Sequence, residues 1–335
     1  MNSYRKNMTA ALCIAGMLVI IFDSRAAISA AEEGVRLCLE TVIPSLFPFF
    51  ILTVPITQFL WGRKLSRKFA KRLGVPAGSE GLLLVGMLGG YPMGPKAVAS
   101  AYQAGCICRQ DAKRMLCFSG YAGPAFLFGM AARAFPNTFC IIPIWLIHLS
   151  TGIMIAGFLP GKSNRQAVIP QSDSASAMNS SLRAMAAVCG WVILFRVLLS
   201  FAERWVLWLF PISVQVLFSG IMELTNGILL LSNISSIGCR FTLAAIILGF
   251  GGICVAMQTS SVTEDLGIDT YLKGKILQSI LSGLLAYAYQ FMFFSGGDRW
   301  IIPGYIFIPV IASLIVGCFF VFWQKKSRYS SPVPV

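Results

Sequence analysis

Eight apolar stretches of 15 to 24 residues occupy most of this 335-residue chain: 8–22, 42–61, 115–135, 138–159, 184–201, 205–228, 276–294 and 301–323. A helix needs about 20 apolar residues to cross the hydrocarbon of a bilayer. Only helices and closed barrels satisfy their backbone polar groups there. The runs therefore predict an all-α polytopic membrane protein, with about 8 transmembrane helices if each run crosses once. Composition agrees: 56% of residues are hydrophobic and 12% charged, against about 25% charged in soluble domains. That excludes a soluble globular enzyme, a disordered tail protein and a nucleic-acid-binding domain. The stretch 8–22 follows Arg5 and Lys6 as a signal-peptide core would. No small-x-small site follows Phe22, so 8–22 reads as a retained, short first helix.

Two further segments, 81–105 and 242–261, are apolar but interrupted by Gly and Pro. Between Gly89 and Pro95 lie three Gly and two Pro, which cannot continue a helix. Each segment predicts two half-helices meeting at a turn, so two re-entrant helical hairpins join the spans. Loop charge sets the orientation, because Lys and Arg accumulate on the cytoplasmic side. Stretch 62–80 carries six basic residues and 105–114 carries Arg109, Lys113 and Arg114, so both read as cytoplasmic. Stretch 23–40, with Asp23, Glu32, Glu33 and Glu40, reads as external. The segment 81–105 then enters and leaves on one face. Residues 63–72 read as an interfacial helix on anionic lipid. The formal charge of +14 thus reports topology and not a nucleic-acid partner.

A polar, Ser-rich stretch divides the chain. The expected organisation is a first membrane half, 1–160, with hairpin 81–105, then a cytoplasmic linker, 161–183. A second half, 184–324, carries hairpin 242–261, and 325–335 forms a cytoplasmic tail. Both termini are expected in the cytoplasm of a multi-pass cell-membrane protein. The two halves look related at an offset of 162–163. Leu46-Phe47-Pro48 recurs as Leu209-Phe210-Pro211, Gly89-Gly90 as Gly251-Gly252, Lys113 as Lys275, and Ser119-Gly120 as Ser282-Gly283. Duplicated halves with broken helices characterise secondary transporters, whose sites lie where the broken segments meet.

Candidate solute-binding residues follow from that expectation. They are Gly89, Gly90, Tyr91, Pro92, Gly94 and Lys96 at the first break, and Ser119, Gly123 and Pro124 at a third interruption. The second half contributes Glu223, Thr225 and Asn226, with Gly251, Gly252, Gln258 and Ser260 at the second break. Half-helix N-termini offer partial positive charge to an anion. Lys96, if not snorkelling to the interface, and Glu223 are intramembrane ionisable groups and functional candidates by default. The bland alternative for Glu223 is a packing network in which it is protonated or paired with Arg196. The lone His148 suits packing or an interhelical hydrogen bond better than catalysis. Ten Cys without a C-x-x-C, and no nucleotide-loop motif, leave no metal, cofactor or enzymatic activity expected.

On Ile43-Pro44-Ser45-Leu46-Phe47-Pro48-Phe49, Gly89-Gly90-Tyr91-Pro92-Met93-Gly94 and Ala122-Gly123-Pro124-Ala125-Phe126 the chain resembles the sporulation integral membrane protein YlbJ family. Glu223-Leu224-Thr225-Asn226-Gly227 and Gly249-Phe250-Gly251-Gly252 continue the likeness in order. The resemblance implies nucleoside-recognition Gate domains built on the two hairpins, and membrane transport. The family is associated with moving dipicolinic acid from mother cell to forespore across the outer forespore membrane, which would suit Lys96 and the half-helix N-termini.

The leading expectation is therefore a secondary transporter of a small anionic solute, dipicolinate for preference, with H⁺ or Na⁺ as a coupling ion. A non-transporting protein of spore cortex or envelope assembly and an ion-coupled nucleoside carrier are the alternatives. The expected partners are the bilayer and the solute, with homo-oligomerisation left open. Gate-domain carriers have inverted repeats, whereas four spans between hairpins 81–105 and 242–261 would make the repeats parallel.

Overall fold

The computed structural model describes residues 3–60, 67–159, 167 and 177–293, and among these its regular structure is all helix, without a strand. Four described stretches are long and apolar enough to cross a membrane: Ser24–Thr57, Thr138–Phe158, Ser181–Trp205 and Ile237–Thr263. The expected span 301–323 and tail 325–335 lie outside the described residues, as do 61–66 and most of the linker.

Helix α1 (Ser3–Phe22) leads through Asp23 into α2 (Ser24–Leu37). Asp23 caps α2 by accepting from the Ala26 amide. The acidic stretch 23–40 is thus helical and not a loop. Its small residues Ala27, Ala30 and Gly34 share one buried face. Small faces let helices approach closely in lipid, where dispersion replaces the hydrophobic drive. Here the partner is α10 (Ala177–Trp205): a Cβ on Gly34 would lie 3.0 Å from Ile193 Cα. Arg196 of α10 reaches Glu33 at 2.6 Å and Glu203 at 3.0 Å. Among the described residues Arg196 therefore pairs with Glu33 and Glu203, and not with Glu223. A π-helical turn, Cys38–Val42, carries α2 directly into α3 (Ile43–Leu60). Since α10 begins at Ala177, the last part of the expected linker is helix.

After α4 (Arg67–Leu73) come α5 (Glu80–Gly89) and α6 (Met93–Gln103), packed side by side. Their backbones touch at Gly86 and Gly94, where a Cβ on Gly94 would lie 2.9 Å from Gly86 Cα. Within 81–105 the chain thus forms two short helices packed against each other.

Helix α7 (Arg109–Leu116) ends in a non-helical passage, 117–123, before α8 (Pro124–Gly129), so 115–135 is interrupted. The charged stretch 105–114 is largely helix. Its Arg114 is only 8% exposed, and its guanidinium donates to the carbonyls of Leu73, Gly74, Ala156 and Leu159. Those carbonyls lie at the ends of α4 and α9 (Ile141–Phe158). A cation there satisfies acceptors that helix ends leave open.

The second half departs from expectation. The stretch 205–228 is no through-helix. Helices α11 (Ile212–Met222) and α12 (Leu224–Leu230) fold back on one another around Glu223, with Gly227 against Gly220. Conversely, 242–261 is not a hairpin. Helices α13 (Ile237–Phe250) and α14 (Gly252–Thr263) follow each other in one 27-residue apolar span broken at Gly251. Gly251 has φ +82° and Gly252 φ +87°, a left-handed passage that L side chains adopt rarely. The long α15 (Asp269–Phe293) runs against α13 and α9.

The order hairpin then broken helix occurs twice, as α5/α6 with α7–α8 and as α11/α12 with α13–α14. It does not follow the 162-residue register. Leu46-Phe47-Pro48 lies inside α3, while Leu209-Phe210-Pro211 precedes α11. Gly89-Gly90 closes a hairpin helix, while Gly251-Gly252 breaks a span.

Candidate functional site where hairpin tips meet broken helices

The first hairpin turns through Gly90, at φ +75°, and the cis peptide Tyr91–Pro92. Gly90 sits on the first broken helix: a Cβ there would lie 2.9 Å from the Gly123 nitrogen. Tyr91 crosses to the second broken helix and donates its hydroxyl to the Leu248 carbonyl at 3.0 Å. A Cβ on Gly251 would lie 3.1 Å from the Tyr91 ring. One hairpin tip therefore touches both interruptions.

The second tip is built by Glu223. Its backbone is extended (φ −143°, ψ 119°), so the chain reverses between α11 and α12 without Gly or Pro at the turn. Its carboxylate caps α12, accepting from the Thr225 amide at 3.0 Å, the Asn226 amide at 2.8 Å and Asn226 Nδ2 at 2.7 Å. Three donors compensate a carboxylate that is only 2% exposed. This tip faces the same break: a Cβ on Gly252 would lie 3.2 Å from the Gly220 carbonyl and the Leu224 nitrogen.

A cavity of about 40 Å³ lies between these parts. Tyr91, Gly123, Glu223, Thr225 and Gln258 supply its wall from the tips and the broken helices, with Thr41 of the π-helical turn and Ser45 of α3. Phe126, Val188, Val192 and Val255 supply apolar surface. A water needs roughly 10–15 Å³ measured on water-sized spheres. The cavity thus has the scale of a few waters. Glu223 is the one Asp, Glu, Lys, Arg or His among its lining residues.

The chain is 26% identical over 317 residues to the sporulation integral membrane protein YlbJ of Bacillus subtilis (strain 168), covering 80% of this chain and 77% of that protein. The chain is thus similar to YlbJ along most of its length. No protein-family profile matches it, and no solved structure does. The YlbJ relative is an integral membrane protein of sporulation. The four long apolar stretches of this chain agree with a multi-pass membrane location.

In this chain, Tyr91, Gly123, Glu223, Thr225 and Gln258 line one cavity. Gly89, Gly90, Pro92, Gly94, Pro124, Gly251 and Gly252 shape the turns and breaks around it, and Asn226 holds the Glu223 carboxylate. The Ser119 carbonyl packs against Gly86 and Gly94, while its hydroxyl has no partner among the described residues. Lys96, half-buried on α6, and Ser260, half-buried on α14, do not line the cavity.

Sequence reasoning missed a polar cluster beside the first tip. Lys275, 1% exposed on α15, donates to Tyr91 Oη and Gln278 Oε1, both at 2.7 Å, and to the Gly120 carbonyl at 3.2 Å. Gln278 donates through Nε2 to the His148 carbonyl at 2.9 Å, and His148 Nε2 accepts from the Ala122 amide at 2.9 Å. The His148 ring thus ties α9 to the non-helical passage 117–123. The available signal was position: Lys275 directly precedes the long apolar run 276–294.

Proposed function

We propose that this protein is a YlbJ-type secondary transporter that moves a small anionic solute together with a proton. Dipicolinate is the solute the family resemblance implies. The observation that carries the reading is the meeting of two hairpin tips and two interrupted helices at one cavity. Interrupted backbone at membrane depth is tolerated beside protein or a watery site, and carriers place their solutes at such points.

Glu223 sets the condition for an anion. An ionised carboxylate in the wall repels a second negative charge, and its protonation removes that repulsion. Proton and anion then enter together, with Glu223 as the proton site and Thr225, Gln258 and Tyr91 as hydrogen-bonding groups. The apolar wall suits the faces of a planar ring. Dipicolinate is larger than the cavity, so a hairpin tip withdraws to admit it, and that withdrawal alternates access. Lys96, half-buried on α6 outside the cavity lining, attracts the anion without holding it.

On this reading three spans, α7–α8, α9 and α10, separate the two hairpins. Three is odd, so the hairpins enter from opposite membrane faces and the repeats are inverted, as Gate-domain carriers have them. Both termini are assigned to the cytoplasm.

Uptake of dipicolinate into proteoliposomes tests the proposal, with wild type, Glu223→Gln and Lys96→Ala compared under an imposed pH gradient. Acidifying the solute side accelerates wild-type uptake. Uptake indifferent to the gradient and to both substitutions overturns the assignment. A neutral nucleoside is the second reading, favoured by the uncharged Thr225 and Gln258 beside a single carboxylate, and uptake of nucleosides alone would select it. Failure to move any of these solutes, with spore envelope assembly still dependent on the protein, would select a non-transporting assembly role.

A further inference from the structure

Lys275 is a fully buried ammonium whose three protons each find an oxygen: the Tyr91 hydroxyl, the Gln278 amide and the Gly120 carbonyl, at 2.7, 2.7 and 3.2 Å. The direction of each bond is fixed by its neighbours. The Tyr91 hydroxyl spends its proton on the Leu248 carbonyl, so it accepts from Lys275. Gln278 spends its amide protons toward His148, so its oxygen accepts. His148 accepts on Nε2 from the Ala122 amide, so it is not a second cation beside Lys275. None of the three acceptors is a carboxylate. The Gly120 carbonyl is free for this role because α7 stops at Leu116 and the helical ladder does not resume until α8.

A backbone carbonyl released by a helix interruption, a hydroxyl and an amide oxygen form the ligand set of a small monovalent cation. Here a side-chain ammonium occupies their centre, 4.9 Å from the Tyr91 ring centroid as well. It joins α15, the first hairpin tip and the first broken helix in one point.

We infer that Lys275 is a tethered cation: it fills a monovalent-cation site at the junction of the first hairpin tip, the 117–123 interruption and α15, so this protein holds that tip without binding Na⁺. The inference concerns how the tip is held and does not depend on which solute is carried. Removing the ammonium while leaving space converts the site into one that takes a free cation.

The test uses the purified full-length protein in detergent, with thermal unfolding followed in NaCl, methylammonium chloride or choline chloride at equal ionic strength. Wild type unfolds at the same temperature in all three. Lys275→Ala unfolds several degrees lower in choline. It recovers in Na⁺ or methylammonium by roughly 2 °C for each tenfold rise above the dissociation constant, as linkage requires. Lys275→Met fills the space with an apolar chain and does not recover. A wild-type midpoint that rises in Na⁺ over choline overturns the inference, and that measurement stands whether or not the alanine variant can be purified. A Lys275→Ala midpoint equal to wild type, or restored equally by choline, overturns it as well. Because no solute is present, these outcomes are separate from the fate of the transport proposal.

Discussion

Gly227 and Gly220 meet backbone to backbone across the second hairpin, where a Cβ on Gly227 would overlap the Cα and nitrogen of Gly220. That contact closes a hairpin whose second arm has only seven residues. An isolated helix of that length is far below the dozen or so residues needed for marginal stability. The arm persists because Glu223 caps it and α11 supports it.

Gly227→Ala should therefore force the two arms apart. Overpacking a tight contact costs about 1–3 kcal/mol, and a backbone neighbour cannot rotate away. The expected outcome is a thermal midpoint several degrees lower in detergent. Gly190→Ala on α10, where a Cβ meets nothing within 4 Å, should leave the midpoint unchanged or slightly raised. Equal effects from the two substitutions would contradict the packing.

Arg114 gives a second stability prediction. Hydrogen bonds to a charged donor contribute roughly 1.5–3 kcal/mol each, and unpaired buried carbonyls carry their own penalty. Arg114→Ala, which abandons carbonyls at two helix ends, should reduce folded yield severely. Arg114→Lys should recover only part of it, because an ammonium cannot reproduce the guanidinium fork. Full recovery with lysine would show that charge alone is needed.

At Glu223 two roles separate by substitution. Glu223→Gln keeps an oxygen to cap α12 but has no titrating group, so folding should persist while the response of dipicolinate uptake to a pH gradient disappears. Glu223→Ala should in addition lose about 1 kcal/mol of capping. A glutamine variant that retains the gradient response would remove Glu223 as the proton site.

Labelling can test the inverted arrangement. In a cysteine-free background, a thiol restored at Cys108, past the base of the first hairpin, should react with an impermeant reagent from one membrane face. Ser232→Cys, past the base of the second, should react from the other. Reaction of both from one face would make the repeats parallel.

The first hairpin was legible in the sequence because its turn is written in residues that break helices, Gly89-Gly90 and Pro92. The second was not, because Glu223 turns the chain in an extended conformation open to any residue, and no breaker marks the reversal. A carboxylate two and three residues ahead of the Thr225 and Asn226 amides is a capping pattern, and Ser219-Gly220 with Asn226-Gly227 supplies small residues at a close-packing spacing. Read together they locate the turn. The conspicuous Gly251-Gly252 pair drew the hairpin to the wrong segment, since a break in a through-helix and a reversal use the same residues. Lys275 stayed hidden for a different reason. Charge near the end of an apolar run is ordinarily interfacial, and only the tertiary crossing of α15 over the Tyr91 tip takes it out of water.

The hydroxyl of Tyr91, in the first half, is tied twice to the second half, accepting from α15 and donating into the end of α13. That shared atom limits how the two halves could be inherited separately. A chimera joining the first half of this protein to the second half of a distant relative would have to bring a carbonyl to the place of Leu248 and a donor to the place of Lys275, both within reach of one oxygen. Divergence at this crossing is therefore expected to proceed by paired replacement, with either partner changed alone leaving the other stranded.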